Sequence, residues 1–351
     1  MNSVTDNHAL PILVIYTGGT IGMRESARGL VAAGDFESRM AAALSTLPPD
    51  RQRRLPRHVL WEAASPIDSS SATPADWVAL ASMIAERYRE FAGFVVLHGT
   101  DTLAWCATSL AFRLQGLSKP VIVTGAQKPL EAADSDALDN LEAALRFAAE
   151  STLREVCVSF GGRLMRGCRA RKWYTESSLG FETPNWPLLG EMVDHAPVLY
   201  PSRCWQSRGA PQFELAAAPL PDVVRLPLWP GIRARDVARW LDDDQIKGVV
   251  IECWGSGNLP EDAELLGVLA RAASAGKTMV AISQCPVGGV NLDVYATGRT
   301  LTEIGILSGD DMTPEAAHSK LAHLLAQALS PEERKQRFLT PLVGERGAFA
   351  T

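Results

Sequence analysis

The sequence lacks the signatures of most cofactor- and metal-dependent enzymes. No lysine follows its glycine-rich turns in a GK[ST] pattern and no GxGxxG fingerprint occurs, so neither a P-loop nor a dinucleotide site is readable in it. A GxSxG elbow is absent, and none of the six histidines forms an HExxH pair, which removes the commonest serine-hydrolase and zinc-hydrolase arrangements. The six cysteines, Cys106, Cys157, Cys168, Cys204, Cys253 and Cys285, stand singly, without a CxxC spacing and mostly inside apolar segments. They read as reduced core thiols rather than zinc ligands or a disulfide framework.

A net basic excess is absent as well. Formal net charge is -6 and no basic stripe carries interleaved aromatics, so nucleic acid is not an expected partner; the cluster RQRR at Arg51 to Arg54 reads as a solvated connecting segment. No apolar run is long enough to span a bilayer, and the N-terminus shows neither a basic n-region nor a small-residue cleavage site. No membrane partner and a cytoplasmic home are the expectation.

What the chain has is apolar material: 46% hydrophobic over 351 residues, enough for one large or two ordinary domains. Strand candidates recur at Ile12 to Tyr16, Phe94 to Leu97, Val121 to Thr124, Val156 to Phe160, Val249 to Glu252 and Thr278 to Ser283, separated by helical stretches. Such alternation is the βαβ signature of a doubly wound sheet. Thr73 as N-cap and Pro74 at the first position predict a helix over Pro74 to Phe91 burying Trp77, Leu80, Ile84, Tyr88 and Phe91. Asp136 to Glu150 and Pro314 to Leu329 repeat the pattern. Between Ala196 and Pro230 seven prolines interrupt the periodicity. The expected fold is therefore α/β with two domains. A larger N-terminal one (1–196) carries a doubly wound parallel or mixed sheet flanked by helices, and a linker (197–221) leads to a smaller C-terminal α/β domain (222–351).

Two strand ends resemble each other. VIYTGGT places Thr17 and Thr20 after the first strand, and VLHGTDT places His98, Thr100, Asp101 and Thr102 after another. In open α/β sheets, ligands bind beyond the carboxyl ends of strands, so two such turns on neighbouring strands face one crevice. A threonine hydroxyl is a weak nucleophile until a base takes its proton, and Asp101 stands where it could orient a lysine for that purpose. A single Thr-Gly turn ordinarily does no more than cap a helix. His98 reads as a structural strand-end residue, and Lys172, behind Arg163, Arg166, Arg169 and Arg171, as one more solvated charge.

TGGTIG at Thr17 to Gly22 together with HGTDT at His98 to Thr102 resembles the bacterial-type L-asparaginase family, most closely its cytoplasmic type I branch. SPIDSS (Ser65 to Ser70), KPVIVTGAQKPL (Lys119 to Leu130), DNL at Asp139, RLMRGCRARK (Arg163 to Lys172), GSGN (Gly255 to Asn258), QC at Gln284 and VYATG (Val294 to Gly298) extend the likeness over nearly the whole chain. The resemblance implies hydrolysis of L-asparagine to L-aspartate and ammonia, with weak action on L-glutamine and with neither metal nor cofactor. It makes Thr20 the nucleophile of an acyl-enzyme reaction, and Thr100, Asp101 and Lys172 a second catalytic triad. Ser69 and Ser70 would bind substrate, Asp101 would hold its ammonium group, and backbone groups at Gly19 and Gly99 would line the site. It further implies a homotetramer of intimate dimers, with Asn258 contributed by a neighbouring subunit.

One departure stands out. The segment Met23 to Gly34 corresponds to the mobile lid, and where relatives carry a tyrosine whose hydroxyl contacts the nucleophile, this sequence has Leu30. A leucine relays no proton, so reduced activity is expected. The competing reading is an amino-acid-binding regulatory protein with weakened turnover. A tRNA-dependent amidotransferase subunit of the same fold is disfavoured by the acidic balance and the lack of a long segment before Ile12. Some relatives bind an effector near the QC segment; here Cys285 is expected to be a buried small hydrophobe, and Glu252 replaces an arginine of a close relative.

Overall fold

Continuous apolar runs with no polar alternation belong to strands covered on both faces, and the structure puts them there. The computed structural model describes residues 10–27, 29–206, 210–215, 220–293 and 296–347, and divides into two compact units, Met1–Leu215 and Ala216–Thr351. In the first unit β1 (Ile12–Gly18), β2 (His58–Ile67), β3 (Gly93–Leu97), β4 (Val121–Thr124), β5 (Val156–Phe160), β6 (Arg163–Arg166), β7 (Gly190–Val193) and β8 (Ala196–Leu199) form one sheet in the order β8-β7-β6-β5-β4-β3-β1-β2. The stretch β2-β1-β3-β4-β5 is parallel and the three strands at the other edge are antiparallel, so the sheet is mixed. Every residue of β3, β4 and β5 is buried. Strand β2, HVLWEAASPI, escaped the sequence reading because it lies at the sheet edge, half-exposed, without a pure apolar run.

Helices α1 (Phe36–Ser45), α2 (Pro74–Glu86), α3 (Leu103–Arg113) and α4 (Ala137–Ala148) cover the sheet. Helix α2 opens on the expected Thr73, with Asp76 completing a capping box, but ends at Glu86. Tyr88 and Phe91 are buried in the turns that follow, where the Tyr88 hydroxyl accepts from the amide of Ser118. On one face, Ile12, Val14 and Tyr16 of β1 join Phe36 and Met40 of α1 and Leu141 and Leu145 of α4 in a single core. Each such side chain contributes about 1.5–3 kcal/mol by burial.

The arginine-rich segment is not solvated. Arg166 and Arg169 are among the most deeply buried side chains; Arg166 pairs with Glu155 at 2.7 Å and stacks on Trp186 with its guanidinium 4.4 Å from the ring centre. The RQRR cluster is likewise only partly free: Arg51 lies on a short helix (Pro49–Arg53) and bonds Glu142 and Asp139 of α4.

The second unit is a parallel four-stranded sheet, β9 (Asp222–Pro227), β10 (Ile246–Cys253), β11 (Thr278–Ser283) and β12 (Leu307–Ser308), in sequence order. Helices α5 (Ala234–Leu241), α6 (Ala263–Ser274), α7 (Ala296–Ile304), α8 (Pro314–Leu325) and α9 (Pro331–Leu339) accompany it. Lys320 of α8, fully buried, pairs with the equally buried Glu345 and donates to the carbonyls of Phe338 and Thr340. All six cysteines are free thiols. Cys285 corrects the sequence reading: it is exposed, because it follows the end of β11 in a turn where its amide donates to the Ser283 hydroxyl. Val294 and Tyr295 of the VYATG motif lie outside the described residues.

Candidate active site

In the parallel run β2-β1-β3-β4-β5 the strand order reverses between β1 and β3. That switch point is where an open doubly wound sheet leaves a crevice beyond its carboxyl ends. Both threonine turns sit there, Thr17 to Gly22 leaving β1 and His98 to Thr102 leaving β3.

Glycine lets these turns meet. Gly19 has φ +88, and a Cβ on it would stand 2.4 Å from the Cα of Gly99; a Cβ on Gly99 would stand 2.5 Å from the Ser69 hydroxyl. Ser69, 3% exposed, comes from the 3-10 turn Ser69–Ser71 that follows β2, so three successive strand ends converge within van der Waals contact. The exposed Ser70 donates its amide to Asp68 Oδ1 at 3.0 Å.

The hydroxyls divide into two kinds. Thr17 donates to the carbonyl of Leu97 (2.9 Å) and Thr102 to that of Ser69 (2.8 Å), so both tie the turns together. Thr20 heads the turn Thr20–Gly22, half-buried, and no hydrogen bond joins its hydroxyl to another described residue. Thr100 is buried, and its Oγ1 accepts from Lys172 Nζ at 2.9 Å; the same ammonium lies 2.6 Å from Asp101 Oδ1. The Lys172 amine is thus held between a buried hydroxyl and an exposed carboxylate. Asp101 is 60% exposed, so the ion pair adds at most about 1 kcal/mol to stability and serves orientation.

Lys172 arrives by a route that spacing could not disclose. It lies on the short strand Arg171–Lys172, paired with Phe181–Glu182, and Arg163 of β6 braces that hairpin through Glu182 and the carbonyl of Phe181. His98 is structural, as expected. Its Nε2 accepts from the Trp77 indole (3.3 Å), which leaves the proton on Nδ1 to donate to the carbonyl of Gly99 (2.9 Å). Burial pushes its pKa below the ordinary histidine value.

The segment after Thr20–Gly22 is a hairpin, Met23–Ser26 with Gly29–Ala32, in which Leu30 faces Glu25 and is exposed. Asn258 lies in the second unit, exchanging backbone hydrogen bonds with Trp254 across the glycine-containing turn. Among the described residues no cluster of three or more His, Cys, Asp or Glu is arranged to hold a metal ion, and no helix is long and apolar enough to cross a membrane.

Comparison with known proteins follows the same outline. The N-terminal asparaginase family model matches residues 11–203 and the glutaminase/asparaginase C-terminal domain matches residues 222–338. The chain is 38% identical to L-asparaginase 1 of Escherichia coli, covering 95% of this chain and 97% of that one. It is equally 38% identical to the 60 kDa lysophospholipase of Mus musculus, of which it spans 63%. The crystal structure of L-asparaginase I from Vibrio cholerae superposes with a TM-score of 0.86 at 37% identity, covering 96% of this chain and 99% of that chain.

Proposed function

The chain belongs to the asparaginase family, matched in both its N-terminal and C-terminal parts, and on that premise we propose that it hydrolyses L-asparagine to L-aspartate and ammonia, with weaker action on L-glutamine. The observation that carries the reading is the Lys172 ammonium, 2.9 Å from Thr100 Oγ1 and 2.6 Å from Asp101, at a sheet switch point where the Gly19 and Gly99 turns touch. Thr20 is the nucleophile: its hydroxyl, with no hydrogen bond to another described residue, attacks the amide carbon, ammonia departs, and water cleaves the resulting ester. The Thr20 proton passes to Thr100 or an intervening water and on to Lys172, which is steered by Asp101 and acts as a neutral amine in this step. The proton is then returned to the departing nitrogen, which leaves as ammonia. Backbone N–H groups at the Gly99–Thr100 turn receive the developing oxyanion, and Gly19 lines the substrate site. Ser69 takes the α-carboxylate, Ser70 is a further substrate-binding position, and Asp101 takes the ammonium.

The same reading includes a domain division at 1–196, 197–221 and 222–351, a homotetramer with Asn258 reaching a neighbouring subunit's substrate, and a cytoplasmic home. The family models leave residues 204–221 unmatched, which supports a connecting segment ahead of residue 222. Leu30 favours a second reading, amino-acid binding with weakened turnover, because an exposed aliphatic chain on the hairpin offers nothing to a proton.

Ammonia release from L-asparagine and L-glutamine, with Thr20→Ala and Lys172→Met alongside, tests the choice. Release abolished by both substitutions supports the amidohydrolase. No release from the native protein, with L-aspartate still raising the melting temperature, selects the binding protein.

A further inference from the structure

The turn that carries Thr20 is gripped from outside the crevice. Arg39 of α1 is 6% exposed, and it donates from Nη1 to the carbonyl of Gly22 (2.8 Å) and from Nη2 to that of Met23 (3.3 Å). Those two carbonyls end the Thr20 turn and begin the hairpin, whereas Arg39 lies beyond the hairpin's other end, so one side chain ties both roots together. Its remaining donors form a two-point fork on Glu131, Nε to Oε1 at 2.6 Å and Nη2 to Oε2 at 2.5 Å. Glu131 also takes Arg24 of the hairpin, Nη2 to Oε1 at 3.0 Å. Next to it, the amide of Leu130 donates to the carbonyl of Ile21 inside the same turn.

The floor beneath is equally tight. Tyr16 stacks on Phe36 with ring centres 4.0 Å apart, and a Cβ at Gly22 would fall 1.8 Å from the Tyr16 hydroxyl oxygen, so the turn's backbone lies directly on that ring. Arg39 is the remaining wall, and a guanidinium that must meet two carbonyls and a carboxylate at once has a single workable orientation. The Arg39 fork above all, then Arg24, holds the Glu131 carboxyl down to about 2, so it is ionised throughout the neutral range.

We propose that Glu131 is a positioning residue for the Thr20 turn: it locks the Arg39 guanidinium against the carbonyls of Gly22 and Met23, and through Arg24 it tethers the hairpin to the same point. This rests on the reading of Thr20 as nucleophile, but its structural half does not need turnover. Only the Arg39 branch reaches the turn; the Arg24 branch, 55% exposed, restrains the hairpin alone.

The test compares Glu131→Gln, Arg39→Lys and Arg24→Gln in the full chain by three readouts: deuterium uptake over Ile21 to Ser26, kcat and KM for L-asparagine, and melting temperature. Gln cannot complete the two-point fork, and Lys keeps the charge without it. Both variants are therefore expected to raise uptake in this segment and to lower kcat at least tenfold with KM changed less than threefold. Arg24→Gln should raise hairpin uptake while leaving kcat within threefold. Uptake and kcat unchanged in both Glu131→Gln and Arg39→Lys overturn the proposal, as does an Arg24→Gln variant that loses as much kcat as Glu131→Gln. If the native protein releases no ammonia, the asparaginase reading falls and the uptake comparison alone decides the positioning role.

Discussion

Replacing Gly19 by alanine tests whether contact between the two strand-end turns builds the site. The new methyl carbon would lie 2.4 Å from Gly99 Cα and 2.5 Å from Gly99 N, where ordinary contact begins at 3.4 Å, so the turns must part by about 1 Å. Two penalties follow. At φ 88 and ψ 175 Gly19 occupies a region essentially confined to glycine, which costs an L-residue about 1–3 kcal/mol, and relieving the collision costs about 1–3 kcal/mol more. A displacement of about 1 Å between Thr20 and the Thr100 side of the crevice is worth a loss on the order of 10²-fold in kcat/KM. Gly276→Ala supplies the control, because Gly276 has nearly the same φ, +89, with open space where the methyl would go. It should show a positive-φ penalty without a collision, and full activity. The assay is coupled ammonia release for kcat and KM, with thermal melting of both variants. A Gly19→Ala enzyme within threefold of native kcat/KM, and no less stable than Gly276→Ala, would refute the idea that backbone contact between these turns sets the geometry.

The other expectations concern single groups. Lys172→Met should lower kcat by about 10²–10⁴-fold, the usual worth of a positioned acid–base group, with the melting temperature little changed because the ion pair is half-exposed; an effect confined to KM would assign Lys172 to binding only. Leu30→Tyr should raise kcat for L-asparagine if the aliphatic residue slows proton relay, and steady-state kinetics beside Leu30→Ala decide it: equal rates in all three show that the position is silent. His98 is held neutral in the fold, so its stabilisation is complete above the unfolded pKa of about 6.5 and declines as pH falls below it. Its ring carbon chemical shifts should therefore titrate with a midpoint below the ordinary histidine value of about 6.5, and a midpoint at or above that value would contradict the Trp77–His98–Gly99 chain. Glu345→Gln removes the charge that Glu345 sets against the buried Lys320 ammonium and should destabilise the second unit by about 3–5 kcal/mol, measured by denaturant titration.

The sequence by itself determined the element types and the family. Uninterrupted apolar runs made β1, β3, β4 and β5 legible because those strands are buried on both faces, and Thr73-Pro74 announced α2 because capping is a local interaction. The turns TGGT and HGTDT could be read as strand-end features for the same reason. The tertiary structure decided everything that depends on residues far apart in the chain. Lys172 met Thr100 across 72 positions only because a two-strand hairpin braced by Arg163 carries it there. Arg166 and Arg169, which read as solvated, turned out buried because Glu155 and the ring of Trp186 replace water around them. Cys285, expected inside, lies outside because the strand it follows has ended. Glu131 gave no signal at all, since a glutamate in a loop acquires meaning only when Arg39, 92 residues away, is folded against it. Periodicity and capping record what a segment does with its own neighbours, whereas burial of charge and convergence of side chains are properties of the packed whole.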